Sequence, residues 1–347
     1  MKNICICLRI HQPLRLKRYR FFQMGSDHFY LDDNKNRSNT QQAVYKNYIP
    51  TVEMVERLCN KWNDEFAVSI SISGAALEQM REFSPLMIDR LKKLAGHKLI
   101  EWIAETHPHS LSSLFDKNEF ATQVENYRKL LWEILEVESE TFRNTDLIYT
   151  PTIGSWVSKL GFKAMLIGTA PLSRLYGSSL HPKTRLLPHT LLENINAMNK
   201  KIDEVEENLY CTTIYAEDIT KANRLEYELL LNKLAQNKDI NLTTPRVVVS
   251  NAAPSEVIEL AAIQPHTWSQ NELQQEAITQ LYNLKEQVKQ LNNKNLTNAW
   301  RLLQSVDNFK PMSLDLTEEN PYGTPYEAFI NYMNVLGDFR LMLKNIR

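Results

Sequence analysis

The sequence predicts an α/β fold: an incomplete seven-stranded (β/α) barrel with a C-terminal helical region, or alternatively a doubly wound open sheet. Two observations carry the α/β class. Short apolar or β-branched runs bounded by polar turns recur as far as Val249. Several alternate with segments of helical period, and consecutive parallel strands need such crossovers. A third observation sets the C-terminal region apart, because beyond Val249 only helical patterns follow.

The predicted strands are Ile4–Leu8, Phe66–Ile72, Leu99–Ile103, Glu140–Arg143, Ala164–Ile167, Leu209–Tyr215 and Arg246–Val249. Among the helices, Ser84 and Pro85 open one as N-cap and first helical residue, with Leu86, Leu91 and Leu94 along one side. Another runs from Glu119 to Val137, where Phe120, Val124, Tyr127, Leu131, Ile134 and Leu135 keep the helical period. The last third places helices over Asn271–Asn292, Leu296–Gln304 and Tyr326–Leu343. Residues 1–265 are therefore expected to form the barrel, and 266–347 a helical region packed on it. The charged stretch Lys200–Asn208 reads as a solvated helix end or loop.

Composition narrows the function. With 40 Lys+Arg against 41 Asp+Glu, the net charge of −1 offers no electrostatic footprint for nucleic acid. Only 9 of 347 residues are Gly, which argues against glycine-rich phosphate loops. Cys5, Cys7, Cys59 and Cys211 form no C-x-x-C pair and read as buried thiols. The apolar start ends at Arg9, too early for a signal peptide, and no window approaches the ~18 apolar residues of a membrane span. A soluble, cytoplasmic protein with no membrane partner is expected. Oligomeric state is not legible.

In α/β barrels the site forms at the C-terminal ends of the strands. Polar residues collect there: His11, Gln12 and Pro13 after the first strand, Gly74 and Glu78 after the second, Glu105, His107 and His109 after the third. Arg143, Asn144 and Asp146 follow the fourth. Each has a structural reading beside the functional one. A lone His11 can be a satisfied structural histidine, Glu78 a solvated helix residue, and Asp146 the ion-pair partner of Arg143. Pro108 between His107 and His109 makes a weak metal motif, and Glu101, alternating with Trp102 within a strand, reads as structural.

Longer motifs resemble glycoside hydrolase family 57, in its α-amylase-like branch. They are Ile10-His11-Gln12-Pro13 with Arg15 to Phe22, Ser71-Ile72-Ser73-Gly74 with Ala76-Leu77-Glu78-Gln79, Ala104-Glu105-Thr106-His107, and His109 to Leu114. Phe142-Arg143-Asn144-Thr145-Asp146-Leu147-Ile148-Tyr149 continues the series, and it resumes in Asn271–Glu276, Trp300–Gln304 and Ala328–Asn334. The resemblance spans most of the chain outside Leu172–Pro265. It implies an incomplete seven-stranded barrel capped by helices, and retaining chemistry on α-glucans by two carboxylates about 5–5.5 Å apart.

Carried over residue by residue, the resemblance puts Asp146 where the family has its glutamate nucleophile, one methylene shorter. In Asn208–Ala216 it puts Thr212 in the register of the family's aspartate acid/base. A threonine hydroxyl cannot donate a proton near neutral pH. The expectation is an α-amylase-like protein of carbohydrate metabolism with a degraded catalytic pair: a pseudoenzyme with weak or no hydrolysis that still binds α-glucan or maltooligosaccharide. His11, Gln12, Glu78, Glu105, His107, His109 and Asn144 would supply hydrogen bonds, and Trp102, Trp156 or Trp268 stacking faces. This reading needs no metal and no cofactor. One alternative is an active retaining hydrolase or transferase using Asp146, with Glu217 or Asp218 as acid. Others are a metal-dependent deacetylase-like site from His11, His107, His109 and Asp27 or Asp146, and a purely structural or regulatory partner protein.

Overall fold

The computed structural model describes residues 1–168, 179–181, 184–191, 195–204, 209–251, 271–315 and 320–345. Two compact units emerge: Met1–Gln12, Asn39–His107 and Asn118–Gln264 make the first, and Pro13–Ser38, Pro108–Lys117 and Pro265–Arg347 the second.

The first unit holds the strands: β1 (Lys2–Ile10), β2 (Val68–Ile72), β3 (Ile100–Ala104), β4 (Thr141–Arg143), β5 (Ala164–Ile167), β6 (Ser179–His181), β7 (Thr184–Pro188), β8 (Thr190–Leu191), β9 (Leu209–Tyr215) and β10 (Ile240–Thr243). Seven of them pair in parallel in the order β7-β5-β4-β3-β2-β1-β9. Their two ends meet in one stretch of chain. Thr184–Pro188 pairs with β5, and Thr190–Leu191, two residues further on, pairs with β9. His189 sits at the changeover, its N–H donating to the Ile167 carbonyl at 2.7 Å. The closure rests on two residue pairs, so the ring is an incomplete (β/α) barrel, as the sequence predicts.

Six of the predicted strands are present within a residue or two. The seventh is not: Arg246–Val249 lies in a helix, Pro245–Asn251, and the strand is Ile240–Thr243 just before it. Pro245 explains the error, because proline is pre-organised for the first turn of a helix, while the true strand is short and half polar. Ser84 does precede the helix Pro85–Ala95, but its side chain makes no cap hydrogen bond. Lys200–Glu204 ends the helix Ile195–Glu204, and the rest of that charged stretch lies outside the described residues.

Strand alternation sorts the barrel interior into layers. Cys5, Cys7, Cys211, Ile103, Ala164, Leu166 and Leu187 form one apolar cluster. They come from β1, β3, β5, β7 and β9, strands spread around the ring, so their shared face is the interior. Val248 and Val249 of the helix after β10 pack on this cluster. Glu101 caps that helix, accepting from Arg246 N–H (2.9 Å) and from the Thr141 hydroxyl (2.5 Å). Toward the C-terminal strand ends, Arg9 of β1, Ser71 of β2, Glu105 just past β3 and Arg143 of β4 make a polar layer, with Arg9 and Ser71 in register.

The second unit is helical toward its C-terminal end, with Glu272–Tyr282, Lys285–Leu291, Lys294–Leu303 and Pro325–Asn345. Asn271 closes a capping box with Gln274. Trp300 is buried and donates its indole N–H to the Leu281 carbonyl at 3.1 Å. Buried Asp338 gathers Gly25 N–H (2.7 Å), Tyr30 Oη (2.6 Å) and His28 Nδ1 (2.8 Å), tying the segment after Pro13 to the last helix. Among the described residues no helix is long and apolar enough to cross a membrane.

Candidate active site

The strand ends of the first unit hold most of the residues singled out in the sequence. Where β1 ends, His11 Nδ1 lies 2.8 Å from Ser73 Oγ, the N-cap of Gly74–Phe83. The His11 carbonyl accepts from Tyr48 Oη at 2.8 Å, and Gln12 offers its own carbonyl to Gln79 Nε2 at 2.8 Å. Gly74 is required by close approach, since a Cβ there would stand 2.5 Å from the His107 carbonyl oxygen. Glu78, one turn into that helix, pairs with His107, Oε1 to Nε2 at 3.3 Å. Burial pushes the Glu78 carboxyl up, but the His107 hydrogen bond and charge outweigh it and hold it below the usual range.

Glu105 follows β3 into the interior. It accepts from the Ser71 hydroxyl, and Arg143 Nη1 of β4 stands 3.9 Å from the same Oε1. Asn144, fully buried, braces the following turn through Nδ2 to the Ile148 carbonyl at 3.0 Å. In that turn Asp146 and Leu147 both adopt left-handed backbone, with φ 50° and 57°. Aspartate tolerates this and leucine does not. Leu147 is held there because its side chain belongs to the apolar interior cluster, leaving Asp146 only part-buried at the strand end. Strained backbone of this kind collects at functional sites.

Past β9, Glu217 is part-buried, and its Oε2 is out of reach of solvent without a hydrogen-bond partner. Burial is the largest influence on its carboxyl and raises it above the ordinary value, with the Arg9 charge opposing. Arg9 is itself buried on β1, its guanidinium carbon 5.6 Å from the centre of the Tyr215 ring. Its charge is felt by Glu105, Glu217, Tyr215 and Asp146 together. The carboxylates whose charge favours the Arg9 cation follow β3, β4 and β9. Asp218, the other candidate acid, is exposed.

Thr212 has a different setting. It lies mid-strand, in register with Ile6 of β1 and Thr190 of β8, and fully buried. Its neighbours Cys211 and Thr213 bracket it: Cys211 belongs to the interior cluster, so Thr212 alternates to the outer face. His109 belongs to the second unit, buried with φ 54°, its carbonyl accepting from Val306 N–H at 3.0 Å. Asp27 is also in the second unit, ion-paired with Lys17 at 2.6 Å. Among the described residues no three His, Cys, Asp or Glu side chains are arranged to hold a metal ion. Trp102 is buried, Trp156 is part-buried 6.1 Å from the Phe120 ring, and Trp268 lies outside the described residues.

The sequence reading missed Arg9, Tyr215 and His189. Arg9 and Tyr215 are adjacent only through the pairing of β1 with β9. The alternation of β1 was the available signal, because it puts Arg9 on the face of Cys5 and Cys7.

A parallel barrel with carboxylates, histidines and a buried arginine at its strand ends has the form of a barrel enzyme whose site opens at that face. Residues 5–196, more than half of the chain, match the family model of glycosyl hydrolase family 57, and the chain belongs to that family. A Methanocaldococcus jannaschii protein provisionally named an alpha-amylase is 27 % identical, over 97 % of this chain and 84 % of its own length. Among solved structures, the branching enzyme of Thermococcus kodakaraensis superposes with a TM-score of 0.71 at 11 % identity, over 99 % of this chain and 90 % of that one. The 4-alpha-glucanotransferase of Thermococcus litoralis gives 0.68 at 13 % identity, over 96 % of this chain, which spans 59 % of that protein's length. At such identities the structural likeness establishes the fold.

Proposed function

We propose that the chain acts on α-glucans at the strand-end face of its first unit as a slow retaining hydrolase or transferase, with Asp146 as nucleophile and Glu217 as acid/base. The single observation that carries this reading is the placement of Asp146 just past β4 and Glu217 just past β9, at the strand-end face where Arg9 is buried on β1 between β2 and β9. Family membership supplies the substrate class. The Asp146 carboxylate attacks the anomeric carbon while the bond to the leaving oxygen breaks and Glu217 gives that oxygen its proton. Water or an acceptor hydroxyl then attacks the glycosyl ester, Glu217 takes its proton, and Asp146 is released as carboxylate. Burial suits Glu217 to the acid role, because it keeps the carboxyl protonated to higher pH than usual. His11 and the Glu78–His107 pair supply hydrogen bonds to sugar hydroxyls in this reading.

The rate is expected to be low. Aspartate is one methylene shorter than the family's glutamate, and a setback of about 1 Å can cost on the order of a hundredfold. A second reading, glucan binding without turnover, is favoured by Thr212 in the register of the family's acid. Reducing-end release from maltoheptaose, with calorimetric binding to the same sugar, separates them. Slow turnover supports the proposed pair; binding alone leaves a glucan-binding pseudoenzyme; neither removes the α-glucan reading.

A further inference from the structure

Strand β9 sends three side chains to the barrel interior, each at a different depth. Cys211 belongs to the apolar cluster, and two-residue alternation puts Thr213 and Tyr215 on the same face. Thr213, one step further along, is buried with its Oγ1 3.0 Å from His189 Nδ1. Tyr215 is the last residue of the strand. Tyr210 to Ile214 are all buried, whereas Tyr215 is part-exposed. Its ring therefore stands where the interior opens to solvent at the strand ends.

The ring is also held in place. Arg9 is the register partner of Tyr215 on β1, on the face it shares with Cys5 and Cys7. Its guanidinium carbon lies over the Tyr215 ring, 5.6 Å from the centre, and a cation in that position is attracted to the ring face. Arg9 itself is buried, so it fixes the ring from the interior side. A ring fixed in this way loses little freedom when a ligand covers the part left exposed. Glu217 follows two residues later, so whatever covers Tyr215 lies beside the proposed acid/base.

We propose that Tyr215 is the platform on which one glucose unit of the α-glucan stacks, the C–H face of the sugar lying on the exposed part of the phenol ring. The inference rests on the α-glucan reading above and names the side chain that holds the sugar next to Glu217. Aromatic side chains suit the role because they join a broad apolar face to a polar tip, as a pyranose joins C–H groups to a rim of hydroxyls. Stacking adds affinity and position without charge, which fits a neutral sugar.

The test reads binding, so it needs no turnover. The whole chain is titrated with maltoheptaose by calorimetry, and saturation-transfer NMR follows magnetisation from irradiated aromatic protons to the sugar C–H protons. Tyr215→Leu keeps apolar volume but removes the ring, and should weaken binding roughly five- to tenfold and cut the transferred signal. Tyr215→Phe keeps the ring face and should bind within about twofold of the wild-type chain. Should Tyr215→Leu not fold, Tyr215→Trp decides: its larger face should tighten binding severalfold, and unchanged or weaker binding overturns the proposal. Equal binding and undiminished transfer in a folded Tyr215→Leu overturn the platform while the α-glucan reading stands. An equal loss in Tyr215→Phe and Tyr215→Leu also overturns it, since the phenol hydroxyl would then carry the effect. A wild-type chain that neither binds nor turns over maltoheptaose removes both readings.

Discussion

Two adjoining layers of one barrel interior have opposite chemistry. The lower is apolar and packs three thiols, two of which stay firmly protonated: burial pushes Cys7 up to about 12 and raises Cys5 too. The upper carries Arg9, Glu105 and Arg143, all nearly inaccessible. Both are equally buried, so burial alone does not distinguish a core from a site. What distinguishes them is charge: the lower layer packs thiols and aliphatic side chains, whereas the upper buries two guanidiniums and a carboxylate, groups that are costly to take out of water.

The largest expected effect would break the upper layer. Asp146→Asn should abolish turnover on maltooligosaccharides, by on the order of ten-thousandfold or more, while calorimetric binding persists. Thr212→Asp should gain no activity. It buries a carboxylate on the outer face of β9, and chemical denaturation should show a loss of roughly 3–5 kcal/mol. In the lower layer, Leu187→Ala should cost about 2–5 kcal/mol of stability in the same measurement and leave the pH profile of any activity unmoved. Asp146→Glu should instead gain roughly a hundredfold in turnover, about 2.7 kcal/mol, by restoring the missing methylene.

The smallest effect is also the most diagnostic. Activity requires Glu217 protonated, so it should fall as pH rises through the raised value of that carboxyl. Arg9 opposes this elevation. Arg9→Met removes the opposing charge, so Glu217 moves further up and the alkaline limb of kcat/KM should shift to higher pH. An unmoved limb would mean that a different group is the acid.

The lower layer and the ring around it were largely legible in the sequence, because apolar period and turn chemistry are local signals. Ala164–Ile167 and Leu209–Tyr215 coincide with β5 and β9 for that reason. The upper layer was legible only in part. Asp146 and Glu105 stand just after apolar runs, where polar residues are conspicuous. Arg9 sits inside such a run and looked like its interruption. His189 depends on the ring closing through two residue pairs, and no local pattern encodes that contact. Thr212 came from motif register, and the two-residue alternation of β9 sets it on the face opposite Cys211.

The most direct test of the central claim is to trap the glycosyl ester. Glu217→Gln, incubated with a 5-fluoro maltosyl fluoride, supplies a good leaving group while lacking the base needed for release. Peptide mapping by mass spectrometry should then find the added sugar mass on the peptide carrying Asp146. The same mass on any other carboxylate, or no adduct on a chain that turns over maltoheptaose, would contradict the assignment.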